Sequence, residues 1–276
     1  MGSFARPTEK SGYLEEDFRL FHINDQTSRE FAYHYHDFHK VVFFLRGNAS
    51  YHIEGKVYHL KPWDILLVHQ YATHRPEIDP SVPYERFILW IRNDIPSQEL
   101  NQCFQKASDR SFNLIRLDAR VQERLKGLLY ELESALTGDE FGGELLGEAL
   151  FTQLMVYLNR IFLEKKYIVD RMSYTCDDQV EQLLRYINQN LGADLSADTL
   201  AEKYYLSKYH LMRKFKEKTG CTLHSYIVGK RLLYARDLIS QGTPVLKASS
   251  LCGFSDYTTF SRAYKKQFGS SPTGGR

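Results

Sequence analysis

Cysteine is scarce in this chain, with four among 276 residues. Cys103, Cys176, Cys221 and Cys252 stand far apart and form no CxxC pair, which argues against a disulfide framework or a zinc knuckle and leaves them as buried thiols. Long apolar runs are missing as well: none approaches the ~18 residues that a bilayer-spanning helix needs. The opening MGSFARPTEK has no apolar stretch behind its charges, so neither a membrane span nor an export signal is indicated. No membrane partner is expected, and the expected compartment is the cytoplasm.

Net charge is also nearly absent, at +2, but the balance hides an asymmetry. From Lys203 to Arg276 there are 14 Lys and Arg against 3 acids, whereas the preceding residues hold 22 against 31. The basic end is suited to a polyanion. The histidines lean the other way, with eight of ten before residue 75.

Residues 18 to 92 alternate like strands. The stretch KVVFFLRGNASYHIEGKVYHLKPWDILLVHQ contains three β-rich runs broken at Gly47-Asn48, Glu54-Gly55 and Lys61-Pro62. Short, evenly spaced strands predict a small barrel or sandwich. From about Asp118 the period changes to that of a helix, with Leu125, Leu128, Leu129, Leu132 and Leu136 on one face. A second helix starts near Gly143 and carries Leu146, Leu150, Leu154, Tyr157, Leu158 and Ile161. Residues 165 to 178 show no period and read as a linker; beyond them the chain reads as helical.

The basic end repeats itself. Leu211, Arg213, Phe215, Lys216 and Gly220 map onto Phe260, Arg262, Tyr264, Lys265 and Gly269 at an offset of 49, while Ala201 and Leu206 map onto Ser249 and Phe254 at 48. A one-residue insertion after the turn of the second copy accounts for the difference. Each copy has a short helix with a small residue where another helix must approach, a tight turn, and a longer basic helix ended by glycine. Ser196 and Ser207 stand where helix N-caps belong. The pattern predicts two helix-turn-helix units joined by a helix near residues 222 to 240.

A helix laid in the major groove reads base edges with its outward side chains. With Leu211 and Phe215 inward, Tyr209, Met212 and Arg213 face outward in the first copy. With Phe260 and Tyr264 inward, Tyr257, Thr258, Ser261 and Arg262 do so in the second. Lys208, Lys216, Ser255 and Lys265 are placed for phosphates. A single basic helix is as readily just a solvated face, but repetition of small residue, turn, apolar residue, Arg and Gly has no solubility rationale. RNA is the weaker alternative, since no RNP-type aromatic pair or KH-type GXXG loop is present.

In these residues the chain resembles the AraC/XylS family of transcription regulators, over residues 177 to 276. The carrying motifs are LAxxxxLSxxxLxRxFKxxTG and CGFSDxxxFSRxxKKxFGxSP. Departures are Ala248-Ser249 in place of a branched apolar residue and alanine, and the ending Thr273-Gly274-Gly275-Arg276 in place of Tyr-Arg. The front of the chain, HYHDFHKVVFFLRG followed by LKPWDILLVHQYATH, resembles the cupin barrel that many such regulators carry for an effector. The resemblance implies that His34, His36 and His74 occupy the histidine positions of metal-binding cupins, with Lys40 where their Glu would be and Trp63 where glycine is usual, lining the barrel mouth.

Three readings of the histidines stay open: polar residues on half-exposed strands, donors in an effector pocket with Lys40 and Trp63, or ligands to a metal. Lys40 disfavours a cation, so no metal or cofactor is expected. Alternation along a strand would aim His34, His36 and Lys40 into one cavity suited to an acidic or polyhydroxylated molecule. The leucine-rich helices either cap the barrel or form a two-fold interface.

The expectation is therefore an α+β chain: a cupin-like effector barrel over 1–100, a helical dimerisation region and linker over 101–176, and an all-α DNA-binding domain over 177–276. Its partners would be double-stranded DNA, a small effector, a second copy in a homodimer and RNA polymerase, with activation of transcription as its output and no catalytic residue. The competing class is a metal-dependent cupin enzyme with an accessory DNA-binding tail.

Overall fold

The computed structural model describes residues 9–10, residues 12–167 apart from 27, 29, 94, 96 and 111, and residues 174–273. Gly274, Gly275 and Arg276 of the unusual ending, and 168–173 of the expected linker, lie outside the described residues. The chain divides between Thr175 and Cys176 into two compact units.

The first unit holds two sheets. Its strands are β1 (Glu9–Lys10), β2 (Phe18–Asp25), β3 (His34–Tyr35), β4 (His39–Arg46), β5 (Ala49–Ile53), β6 (Lys56–His59), β7 (Ile65–Val68), β8 (His74–Ile78), β9 (Tyr84–Ile91), β10 (Leu114–Ile115) and β11 (Tyr174–Cys176). One sheet runs β1-β3-β8-β5-β6-β11 and the other β10-β7-β4-β9-β2. The three breaks predicted inside the strand-rich segment fall between β4, β5, β6 and β7.

Strand β4 is central in its sheet and buried on both faces, which is why its sequence runs VVFFL without alternation. Val42 packs with Tyr51, Ile53 and Tyr58 between the sheets. Val41, Phe43 and Leu45 face the other way, into a core completed by α1 (Gln102–Arg110), α2 (Ala119–Thr137) and α3 (Gly143–Leu163). Helix α1, nine residues that bury Cys103, Phe104 and Ala107 on one face, is too short and too polar on average to stand out in the sequence. Asp118 caps α2 by accepting from the N–H groups of Arg120 and Val121. The two leucine stripes bury Leu125, Leu128, Leu129, Leu132, Leu150, Leu154, Leu158 and Ile161. They end short of prediction at the hairpin tip, where Leu136, Phe141, Leu145 and Leu146 are exposed.

The second unit comprises α4 (Asp178–Gln189), α5 (Ala197–Lys203), α6 (Lys208–Thr219), α7 (Leu223–Ser240), α8 (Val245–Leu251) and α9 (Tyr257–Phe268). Two cores form around opposite ends of α7. Leu223, Tyr226 and Ile227 join α4, α5 and α6 in one, and Leu232 and Ala235 join Phe260 and Tyr264 of α9 in the other. At ~1.5 Å per residue, α7 is a strut of roughly 27 Å.

Candidate nucleic-acid interface and histidine cluster

The two helix-turn-helix units are α5–α6 and α8–α9, and their parts coincide in detail. Both longer helices are 12 residues. Ser207 caps α6 by accepting from the His210 N–H, and Asp256 caps α9 by accepting from the Thr259 N–H at 2.6 Å. Each helix stops at a left-handed glycine at φ 77°, Gly220 donating to Lys216 O and Gly269 to Lys265 O. The turns match as well: Tyr205 at φ 54° and Gly253 at φ 79° supply the same left-handed step. The extra residue of the second copy is therefore Ser255, an exposed residue between the turn and the cap.

With caps and terminators 49 apart, Tyr209, Met212, Arg213 and Lys216 correspond to Thr258, Ser261, Arg262 and Lys265. This is an i, i+3, i+4, i+7 stripe on each helix. All are exposed except Ser261, which is half-buried; Tyr257, expected in the outward set, is the exposed first residue of α9. Inward of the stripe, Leu211, Phe215, Phe260 and Tyr264 are buried. Ala201 and Ser249, the small residues of the short helices, are buried too. Lys208 pairs at 2.8 Å with Asp198 of α5, and Arg213 lies 4.0 Å from Glu217; both pairs are exposed.

Sequence reasoning missed Arg231. From the middle of α7 it donates to Leu191 O, Ala193 O and Gly253 O, joining the α4–α5 connection to the turn of the second unit. It has no counterpart in the repeat, so no sequence signal marked it.

In the first unit the three histidines come together, although not by alternation along one strand. Strand β3 ends at Tyr35, and its pairing with β8 sets His34 opposite His74. His36 follows in the bend before β4. Ring centroids are 4.5 Å apart for His34 and His74 and 5.0 Å for His36 with each of them. His36 and His74 are buried, so they are not polar residues of half-exposed strands.

One ring nitrogen from each histidine lies within 4.8 Å of the others. His34 Nδ1 and His74 Nδ1 donate to Ala32 O and Ala72 O, which fixes the tautomer and leaves each Nε2 with its lone pair. His74 Nε2 is buried with no hydrogen-bond partner. Burial, then the charge of Lys40 and of the neighbouring rings, holds His74 well below the usual histidine range, so it is neutral. Three imidazoles whose ring nitrogens converge in this way are a donor set that a transition metal accepts.

Lys40 reaches from β4 across to the sheet that carries His34 and His74, where it donates to Tyr51 Oη at 2.8 Å, beside the His74 ring at 5.9 Å from that of Tyr51. Burial, and then the charge of Arg86, pushes its amine down to about 7. Burial raises the Tyr51 hydroxyl well above its ordinary range. Trp63 is placed elsewhere: at φ 67°, in a backbone conformation that suits glycine, it packs against the helix-facing core with Lys126 over its ring at 5.5 Å. The indole at the histidines is Trp90, which with Phe38 forms an aromatic wall, at 5.9 Å from His36 and 4.6 Å from Phe38. Trp90 faces inward because it sits opposite Lys40 in the β4–β9 register, a pairing that local sequence does not reveal.

Comparison with known proteins accounts for both units. Residues 20–155 match the AraC-like ligand binding domain family, and residues 200–276 match a helix-turn-helix domain family. The chain is 26% identical over 248 residues to the HTH-type transcriptional activator RhaS of Citrobacter koseri, covering 88% of this chain and 86% of that protein. It is equally similar to the probable transcriptional regulator LumQ of Photobacterium leiognathi, covering 88% of this chain and 90% of the relative. Among solved structures, the C-terminal domain of the response regulator AraT from Geobacillus stearothermophilus is 26% identical, covering 35% of this chain and 81% of that one at a TM-score of 0.34. No helix among the described residues is long and apolar enough to cross a membrane. A ligand-binding domain of this type followed by a paired helix-turn-helix domain makes the chain a member of the AraC/XylS family of DNA-binding transcription regulators.

Proposed function

We propose that this regulator reads two successive major-groove segments, roughly 34 Å apart, with its two recognition helices. Tyr209, Met212 and Arg213 face the bases of one segment, and Tyr257, Thr258, Ser261 and Arg262 those of the other. Lys208, Lys216, Ser255 and Lys265 hold the phosphates, Lys208 exchanging its exposed partner Asp198 for one, at a cost of ~1 kcal/mol or less. The observation that carries this reading is the stripe repeated at 49 residues between matched caps and glycine terminators. Selection of bound fragments from random DNA tests it: two conserved segments about one helical turn apart support it, and a single segment refutes it.

The effector site is the cluster of His34, His36, His74 and Lys40 behind the Trp90–Phe38 wall. Imidazoles and an amine on an aromatic wall suit an acidic or polyhydroxylated small molecule. Calorimetric titration with sugars, sugar acids and amino acids tests this, and binding of none contradicts it. The orphaned His74 Nε2 favours a second reading in which a divalent transition metal occupies the three imidazoles. Metal analysis of the purified protein separates the two, and stoichiometric iron or manganese would revive the cupin-enzyme class.

The exposed leucines at the α2–α3 tip support a homodimer, which would present four recognition helices. Effector binding then alters DNA affinity through the linker, by ~1 to 3 kcal/mol if coupling is typical. RhaS is named an activator; by that likeness this chain raises transcription in the cytoplasm, with RNA polymerase as its partner.

A further inference from the structure

Resting on the two-segment reading, we propose that the Arg231 guanidinium fixes the register of the two recognition helices and thereby sets the spacing between the DNA segments that the protein accepts. A shared helix alone does not fix that register, since each core packs around its own half of α7. Arg231 lies between the halves. Its Nε donates to Leu191 O at 2.9 Å and one terminal nitrogen to Ala193 O at 2.7 Å, both in the segment leading into the first unit. The other terminal nitrogen donates to Gly253 O at 2.9 Å, in the turn of the second. One rigid, planar fork thus ties backbone of both units to the strut.

The backbone around the fork is built for close approach. A Cβ on Gly253 would stand 2.8 Å from the Arg231 guanidinium carbon and 2.9 Å from Leu191 O. A Cβ on Gly192 would stand 2.6 Å from Leu251 O. The two helix-turn-helix units therefore meet backbone to backbone, at glycines, with Arg231 filling the seam. Rotation of one unit about α7 would break at least one of the three hydrogen bonds. Arg231 touches no base or phosphate in this account; it is a positioning residue.

The test uses the full chain and duplexes that the wild-type protein selects from a random pool. Each duplex is remade with one base pair inserted or deleted between its two segments, and with one segment scrambled. One base pair moves the segments by ~3.4 Å and turns them by ~34°. Wild type should lose about tenfold or more on insertion, a loss in the range of one mismatched pair. Arg231→Ala should shrink that loss to roughly threefold, while its affinity for the scrambled duplex stays within about twofold of wild type. Arg231→Lys keeps charge and stem but lacks the planar fork, so it guards against a folding failure and should show the same relaxed spacing.

Wild-type spacing preference in Arg231→Lys overturns the proposal, as does an equal loss on intact and scrambled duplexes. Indifference of the wild-type protein itself to spacing overturns both this proposal and the two-segment reading, whereas retained spacing preference in the variants overturns this one alone.

Discussion

Arg213 and Arg262 occupy the same point of two equal helices: each is the sixth of 12 residues, seven before the left-handed glycine that ends its helix. Both are exposed, and each has a lysine three residues on, on the same stripe. Side chains that only solubilise a helix have no reason to keep such a relation.

The lysines of the stripe and the arginines should differ in kind. Lys216→Ala and Lys265→Ala are expected to weaken binding to every duplex alike and to flatten the dependence of log affinity on log salt by about one per lysine. Fluorescence anisotropy across a salt series measures this. An unchanged slope would remove these residues from the phosphate set.

The turn of the second unit separates stability from binding. Asp256→Ala leaves the Thr259 N–H without its acceptor and should lower the thermal unfolding midpoint, as should Ser207→Ala in the first helix-turn-helix unit. Ser255 caps nothing. Ser255→Ala should leave thermal unfolding unchanged and lower DNA affinity, and a fall in stability without a fall in affinity would contradict its placement.

Lys40 gives the N-terminal unit a pH signature. Its folded pKa is about 7 against an ordinary 10.5. Between those values the unfolded chain holds a proton that the folded chain does not, so stability rises with pH across that window. Below about 7 the penalty of a buried cation is fully present. Melting temperatures of wild type and Lys40→Met, recorded from roughly pH 6.5 to 9.5, should converge or diverge with pH, the variant lacking the rise. The slope is the readout, because Tyr51 Oη loses its partner in the variant. Parallel curves would mean that Lys40 does not titrate there.

The same lysine bears on the effector. A carboxylate seated against Lys40 favours the protonated amine, so binding of an acidic ligand above pH 7 should take up a proton. Calorimetry of the same ligand in buffers of different ionisation heats measures that uptake. A binding heat independent of buffer would argue for an uncharged effector.

The parts that the sequence made legible are those written in local periodicity. The breaks at Gly47, Gly55 and Pro62, the leucine stripes of α2 and α3, and the doubled basic helix all follow from spacing along the chain. What stayed hidden depends on pairing between distant segments. His74 meets His34 through the β3–β8 register, and Trp90 rather than Trp63 stands at the cluster because β9 lies beside β4. Tyr205 adopts the left-handed step that glycine supplies in the other copy, so residue type alone did not mark the first turn. Arg231 reads in sequence as one more cation of a basic helix, and only its three carbonyl partners reveal its place.

The most direct test of two groove-reading helices is parallel selection from random DNA with wild type, Arg213→Ala and Arg262→Ala. Each variant should lose preference at one base pair, worth ~1 to 3 kcal/mol of discrimination, and the two positions should lie in different segments about one helical turn apart. Equal loss on selected and random DNA for both variants, or loss at the same position, would contradict the account.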